Sequence, residues 1–182
     1  KIESILTKIK KNIKIKEGNI IIKGLEFNYI SNVENKVLKK INIEINGGKM
    51  TALVGHSGSG KSTLLNLIPR IYDPTSGEIL IDNQNIKEFK LSSLRSEISI
   101  VDQNTTLFDD TVFNNIKYAK PEATNEEVRK AAELAMCLDF IDNLENKFET
   151  IIGENGVRLS GGEKQRLSIA RAFLKNSKII LL

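Results

Sequence analysis

Gly55-His56-Ser57-Gly58-Ser59-Gly60-Lys61-Ser62 is the stretch on which the reading of this chain turns. It fits G-x-x-x-x-G-K-S, and its neighbours supply the required context: a β-type run over residues 50–54 before it and a helical pattern over 61–71 after it, with Leu64, Leu65, Ile68 and Ile71 on one face. Glycines let such a loop turn its backbone N–H groups inward, and the helix that follows adds partial positive charge at its start. The motif therefore predicts a phosphate cradle, with the Lys61 ammonium on the β- and γ-phosphates and the Ser62 hydroxyl on Mg²⁺. Gly55, Ser57, Gly58, Ser59, Gly60, Lys61, Ser62 and Thr63 are its candidate nucleotide-binding positions. His56, the single histidine of the chain, fills an unconstrained position and is expected to face solvent rather than carry a proton.

Working outward, short β-type runs dominate the first third, at residues 19–22, 25–29 and 41–45. Residues 78–81 and 98–101 also read as strands. Residues 124–136 predict a helix with Val128, Ala131, Ala132 and Ala135 on one side, opened by a Thr124–Glu127 capping box. A last long helix is expected over 160–174, and the all-apolar run 179–182 suggests a strand buried on both faces. Before all of these, Ile2, Ile5, Leu6, Ile9 and Ile13 recur at helical spacing between lysines, which predicts an amphipathic lead-in ending near Gly18.

A second glycine cluster stands at Leu159-Ser160-Gly161-Gly162-Glu163-Lys164-Gln165-Arg166. Ser160 and Glu163 make a capping box. Two adjacent glycines in the first helical turn also strip side chains from the place where free N–H groups point, which makes a second anion site. With this the sequence resembles the ABC ATPase family, whose signature is LSGG followed by a basic amphipathic helix; the resemblance covers residues 19–182.

That likeness implies an α/β fold: a P-loop NTPase cassette with a mostly parallel core sheet, an antiparallel β subdomain and a helical subdomain inserted at about 85–150. It implies ATP and Mg²⁺ as ligands, and a head-to-tail pair with a second cassette in which Ser160, Gly161 and Gly162 contact the γ-phosphate held by the partner's P-loop. Tyr29 matches the aromatic that stacks on adenine; the lesser alternative is a core tyrosine at a strand end. Gln103 matches the glutamine that senses Mg²⁺ and the attacking water and couples to the membrane domain; read alone it is an ordinary loop residue. The implied catalytic set is Lys61, Gln103 and Ser160, and the implied metal set Ser62 and Gln103. Glu163 replaces the glutamine common at its position. Residues 103–116 and the T-x-x-G-E-x-G element at 150–156 resemble exporters, most nearly lipid A and lipid-flippase exporters, where that element touches the transmembrane domain at the cytoplasmic face of the membrane. In the family an aspartate, a glutamate and a histidine follow the position of Leu182, so turnover is expected of a longer protein rather than of these residues alone.

Charge tests the rivals. Of a net +4, residues 1–23 carry seven lysines against Glu3 and Glu17, which leaves the main body with 20 basic and 21 acidic side chains. Such a body lacks the excess needed to neutralise a nucleic-acid backbone, which argues against a soluble ABC ATPase of DNA repair or translation. A non-hydrolysing regulatory cassette remains an alternative. The basic lead-in is either a solvated linker or a segment drawn to anionic headgroups. Cys137, the single cysteine, excludes an internal disulfide and is expected to be buried.

Overall fold

The computed structural model describes residues 11–29, 36–102 and 105–182. The chain forms two units that divide between Ile98 and Ser99.

In the first unit, four strands form an antiparallel sheet in the order β2-β1-β3-β4: β1 (Ile20–Phe27), β2 (Leu38–Ile45), β3 (Ser76–Ile81) and β4 (Gln84–Asn85). The two runs expected at 19–22 and 25–29 are one strand with an irregularity. Ile20 and Ile22 face the core from even positions and Leu25 and Phe27 from odd ones, all at most 4% exposed. Gly24, with φ +56°, supplies the extra residue that switches the parity, and the ladder slips between Ile22 and Leu25. The turn between β3 and β4 is Asp82-Asn83, both left-handed, as a tight hairpin requires. Helix α1 (Lys61–Leu67) buries Thr63, Leu64 and Leu67, while α2 (Leu91–Ser96) buries Leu94.

Residues 50–54 depart from expectation. They run without an assigned strand, and Met50 and Val54 are almost fully exposed. A β-type segment becomes a strand only where an edge accepts its N–H and C=O groups, and the sheet order places none beside it among the described residues.

The lead-in differs too. Ile2, Ile5, Leu6 and Ile9 lie outside the described residues. Ile13 is on a segment with no assigned helix, buried with Ile15 and donating its N–H to Ser93 Oγ at 3.0 Å. Lys11 bridges Phe89 in parallel. The Asp82 carboxylate then accepts the N–H groups of Lys16 (2.7 Å), Glu17 (3.1 Å), Gly18 (3.3 Å) and Asn19 (2.9 Å). Residues 11–18 thus pack into this unit instead of preceding it. Residues 85–98, at the start of the expected helical insertion, lie in this unit.

Partial burial pushes the Asp82 carboxyl up, but the four N–H donors outweigh it and hold it below the ordinary carboxylate range. Such a group stabilises the fold above its unfolded-state value, about 3.9, and ceases to as pH falls through its lower folded value. Asp82→Ala is expected to cost about 2 kcal/mol at pH 7, as for the loss of a strong multi-donor cap. Denaturant titrations should show that gap narrowing below pH 4; a gap that widens in acid would refute the assignment.

The second unit is mainly helical: α3 (Val112–Lys117), α4 (Asn125–Leu134), α5 (Leu138–Asp142) and α6 (Gly161–Lys175). Both expected capping boxes form, Thr124 with Glu127 and Ser160 with Glu163. Val128, Ala131 and Ala132 on α4, Ile116 on α3 and Leu167, Ala170 and Leu174 on α6 share one core. β5 (Ile98–Ile100), on which the unit boundary falls, pairs with β6 (Ile179–Leu181). β6 is buried on one face only, since Ile179 and Leu181 are each 8% exposed while Ile180 is 39% exposed.

Cys137 is fully buried, and desolvation pushes its thiol up to about 12 despite the attraction of Arg166. It is expected to resist a thiol reagent at pH 8 in the folded protein and to react on unfolding; fast labelling of the native state would contradict this burial.

Candidate functional site: a phosphate loop and a second exposed helix start

In the first unit the glycine-rich loop leads into α1 with Gly60 at its cap, at φ +90°; no side chain caps the helix. Gly60 is required twice over. A β-carbon there would meet Leu38 Cδ2 at 2.7 Å, and a side chain disfavours that φ. With no cap, the first N–H groups of α1 are left for an external acceptor. Lys61 Nζ lies over the loop, donating to the carbonyls of Gly55 and His56, each at 2.8 Å, and more weakly to Ser59 Oγ at 3.4 Å. Ser62 is exposed at the first turn, and His56 faces solvent as expected. Val37, Ser57, Gly58, Gly60, Lys61, Ser62 and Thr63 line a cavity of about 310 Å³. Uncapped N–H groups and one ammonium around one hollow make a site for a multiply charged anion.

Tyr29 and Thr63 behave differently from their neighbours. The Thr63 side chain is buried and shares a hydrogen bond of 3.0 Å with the Tyr29 hydroxyl. The half-buried Tyr29 ring meets Phe27 and Tyr72 edge-on, with centroids 4.9 and 5.4 Å apart. This ties the end of β1 to the buried face of α1, so of Thr63 only the backbone remains for a ligand.

The second unit holds the other glycine pair. Ser160 caps α6, and Ser160, Gly161 and Gly162 are exposed. A β-carbon at Gly161 would meet nothing within 4 Å, and one at Gly162 only Arg166 Nη1 at 3.8 Å; neither residue has a positive φ. Packing and backbone geometry therefore do not demand glycine here, and glycine in a helix costs about 0.5–1 kcal/mol relative to alanine. What it provides is bare, accessible backbone N–H at the positive end of a 15-residue helix.

Gln103 lies outside the described residues. Described parts of the two stretches of the exporter-like reading, 103–116 and 150–156, do come together. Thr111 bridges Ile151 antiparallel, Val112 N–H donates to the Thr150 carbonyl at 3.0 Å, and Asn155 N–H to the Leu107 carbonyl at 3.1 Å. Along these paired segments Phe108, Tyr118, Ile151 and Val157 are exposed, with the Phe108 and Tyr118 rings 4.5 Å apart.

Sequence reading missed the residues that hold this segment. Asn115, fully buried, donates through Nδ2 to the carbonyls of Phe108 (3.0 Å) and Thr111 (2.9 Å), and its Oδ1 accepts from Phe108 N–H at 2.9 Å and Arg171 Nη2 at 2.8 Å. Arg171 also donates to the Asn115 carbonyl (2.7 Å) and the Thr106 carbonyl (2.6 Å), its guanidinium beside the Phe108 and Tyr118 rings. A signal was present: Arg171 is a charge inside the apolar stripe Leu167, Ala170, Leu174.

Comparison with known proteins gives this arrangement its context. Residues 38–182 match the family model described as ABC transporter. The chain is 55% identical over 170 residues to putative multidrug export ATP-binding/permease proteins of Staphylococcus aureus strains NCTC 8325 / PS 47 and COL, which covers 93% of this chain and 29% of theirs. It thus spans under a third of the length of those relatives. Among solved structures, a bacterial Atm1-family ABC exporter with ATP bound superposes with a TM-score of 0.90 at 39% identity, over 94% of this chain and 30% of that one. With its glycine-rich phosphate loop, its Ser-Gly-Gly helix start and its antiparallel sheet and helices, the chain has the ABC cassette fold and belongs to the ABC transporter family.

Proposed function

We propose that this chain is the ATP-hydrolysing cassette of an exporter, working at the cytoplasmic face of a membrane on transmembrane helices carried elsewhere in the longer protein. No helix among the described residues is long and apolar enough to cross a membrane, so the substrate path belongs to other parts. The observation that carries the reading is the exposed Ser160-Gly161-Gly162 helix start, whose glycines its own unit does not need. It suits a partner's nucleotide, so two cassettes pair head to tail and each signature closes on the γ-phosphate held by the other's P-loop.

In this scheme Lys61 neutralises developing charge at the γ-phosphate, the amides of the loop orient the triphosphate, and Ser160 of the opposite cassette donates to it; catalysis is positioning and charge stabilisation. Tyr29 packs on adenine. Mg²⁺ fits a single protein hydroxyl, because it keeps several waters and takes its other ligands from phosphates; Ser62 offers that hydroxyl, Gln103 is the second candidate ligand, and no cluster of acidic, histidine or cysteine side chains among the described residues competes for the ion. When bound, Mg²⁺ supplies charge neutralisation at the phosphate oxygens. Phe108, Tyr118, Ile151 and Val157 form the face for the membrane domain. The cargo is lipidic or amphipathic, a class compatible with the multidrug export named for the relatives. The near-neutral main body supports the absence of a nucleic-acid partner.

Reconstitution of the full-length protein in liposomes tests this. ATP should drive movement of a fluorescent amphipathic dye or labelled lipid across the bilayer, and Lys61→Ala should stop it. Dye movement indifferent to ATP would refute the exporter reading.

A further inference from the structure

Position 163 bears a carboxylate where an amide would equally close the capping box, and the difference decides where one proton goes. Glu163 Oε2 accepts from the Ser160 backbone N–H at 2.7 Å and from the Ser160 hydroxyl at 2.7 Å. Glu163 N–H donates back to Ser160 Oγ over 3.4 Å. A serine hydroxyl has a single proton to give, and here it is given to an anion in a short, charge-assisted bond. Those two donors, the hydroxyl foremost, hold Glu163 below the ordinary carboxylate range; burial opposes them and Arg166 assists. Glu163 is therefore ionised at neutral pH.

Resting on the reading of Ser160 as a donor to the γ-phosphate of a second cassette, we propose that Glu163 competes with that phosphate for the Ser160 hydroxyl proton and so raises the ATP concentration at which the paired cassettes close. Both acceptors are anions, and Ser160 can satisfy one at a time. Turning the hydroxyl to the phosphate strips Glu163 of one of its two donors at 2.7 Å and leaves two negative groups about one serine. A glutamine weakens the contact. Its amide oxygen in the place of Oε2 still accepts the Ser160 N–H, but the bond it offers the hydroxyl is no longer charge-assisted, so the proton passes to the phosphate at less cost. Glu163 thus acts as a positioning residue that tunes the site through Ser160.

The test is ATP hydrolysis by the full-length protein in liposomes as a function of ATP concentration, for wild type, Glu163→Gln, Ser160→Ala and the double variant. Glu163→Gln should lower KM for ATP by about three- to tenfold, the scale of the difference between a charge-assisted and a neutral hydrogen bond, with the change falling on KM rather than kcat. In the Ser160→Ala background the same exchange should shift KM by less than about twofold, since the hydroxyl that couples the two is gone. An unchanged or raised KM in Glu163→Gln overturns the proposal. So does an equal drop in the Ser160→Ala background, which would show a plain charge effect. If Ser160→Ala alone leaves KM and kcat untouched, the shared-nucleotide reading falls and takes this one with it; if Ser160→Ala is damaging and Glu163→Gln inert, only the competition is refuted.

Discussion

Lys61→Ala in the full-length protein should cut ATP hydrolysis by about 10²-fold or more, the scale seen when one preorganised charge stabiliser is removed from an active site. Two losses combine. The ammonium is the positive charge of the loop, and its bonds to the Gly55 and His56 carbonyls and to Ser59 Oγ brace the backbone that presents the N–H groups. Arginine should not rescue it, because a planar guanidinium cannot occupy the place of a compact three-donor ammonium among those acceptors. Binding of a fluorescent ATP analogue should weaken together with turnover. The thermal midpoint should barely move, since Lys61 is only partly buried and its hydrogen bonds stay within the exposed loop. Hydrolysis within about twofold of wild type would remove the P-loop from the mechanism.

The largest stability effect is expected at Asn115. Asn115→Ala removes five hydrogen-bond connections of a fully buried side chain, and leaves carbonyls of the 106–111 segment and the half-buried Arg171 guanidinium short of partners. Stranding buried polar groups costs about 1–3 kcal/mol each, so a total of about 3 kcal/mol or more is expected. Arg171→Lys should cost less but still measurably, because an ammonium cannot reach the Thr106 carbonyl, the Asn115 carbonyl and Asn115 Oδ1 in the plane that the guanidinium spans. Chemical denaturation reads both. A second effect distinguishes this network from generic core packing: limited proteolysis should cut first within residues 105–111 in the variants, where the exposed Phe108 loses its anchor. Cleavage spread evenly over the chain would contradict the anchoring role.

These examples separate what is legible in sequence from what is not. The phosphate loop and both capping boxes are local: the partners lie within a few residues, so glycine, lysine, Ser160, Glu163, Thr124 and Glu127 announce their geometry by spacing alone. The β-type runs at 41–45 and 78–81 likewise fall within the strands Leu38–Ile45 and Ser76–Ile81. Ile13 was not, because its spacing fits a helix while Asp82, more than sixty residues away, captures the N–H groups of residues 16–19 and holds the chain in a bend there. Residues 50–54 failed in the opposite sense, as strand composition without an edge to join. Asn115 and Arg171 meet across 56 residues, a pairing no local pattern encodes. At Glu163 the capping role was read correctly and the significance of its charge was missed, since only the geometry shows the Ser160 hydroxyl already committed to it.

The claim on which the functional account rests is that Lys61 of one copy and Ser160 of another serve the same nucleotide. Assemblies containing two differently tagged full-length copies decide it. Pairing a Lys61→Ala copy with a Ser160→Ala copy should leave one intact shared site and measurable ATP hydrolysis, whereas pairing a copy that carries both changes with a wild-type copy should impair both sites and lower hydrolysis well below that of the first assembly. The reverse pattern, activity in the second assembly and none in the first, would show that each chain completes its own site and would contradict the account.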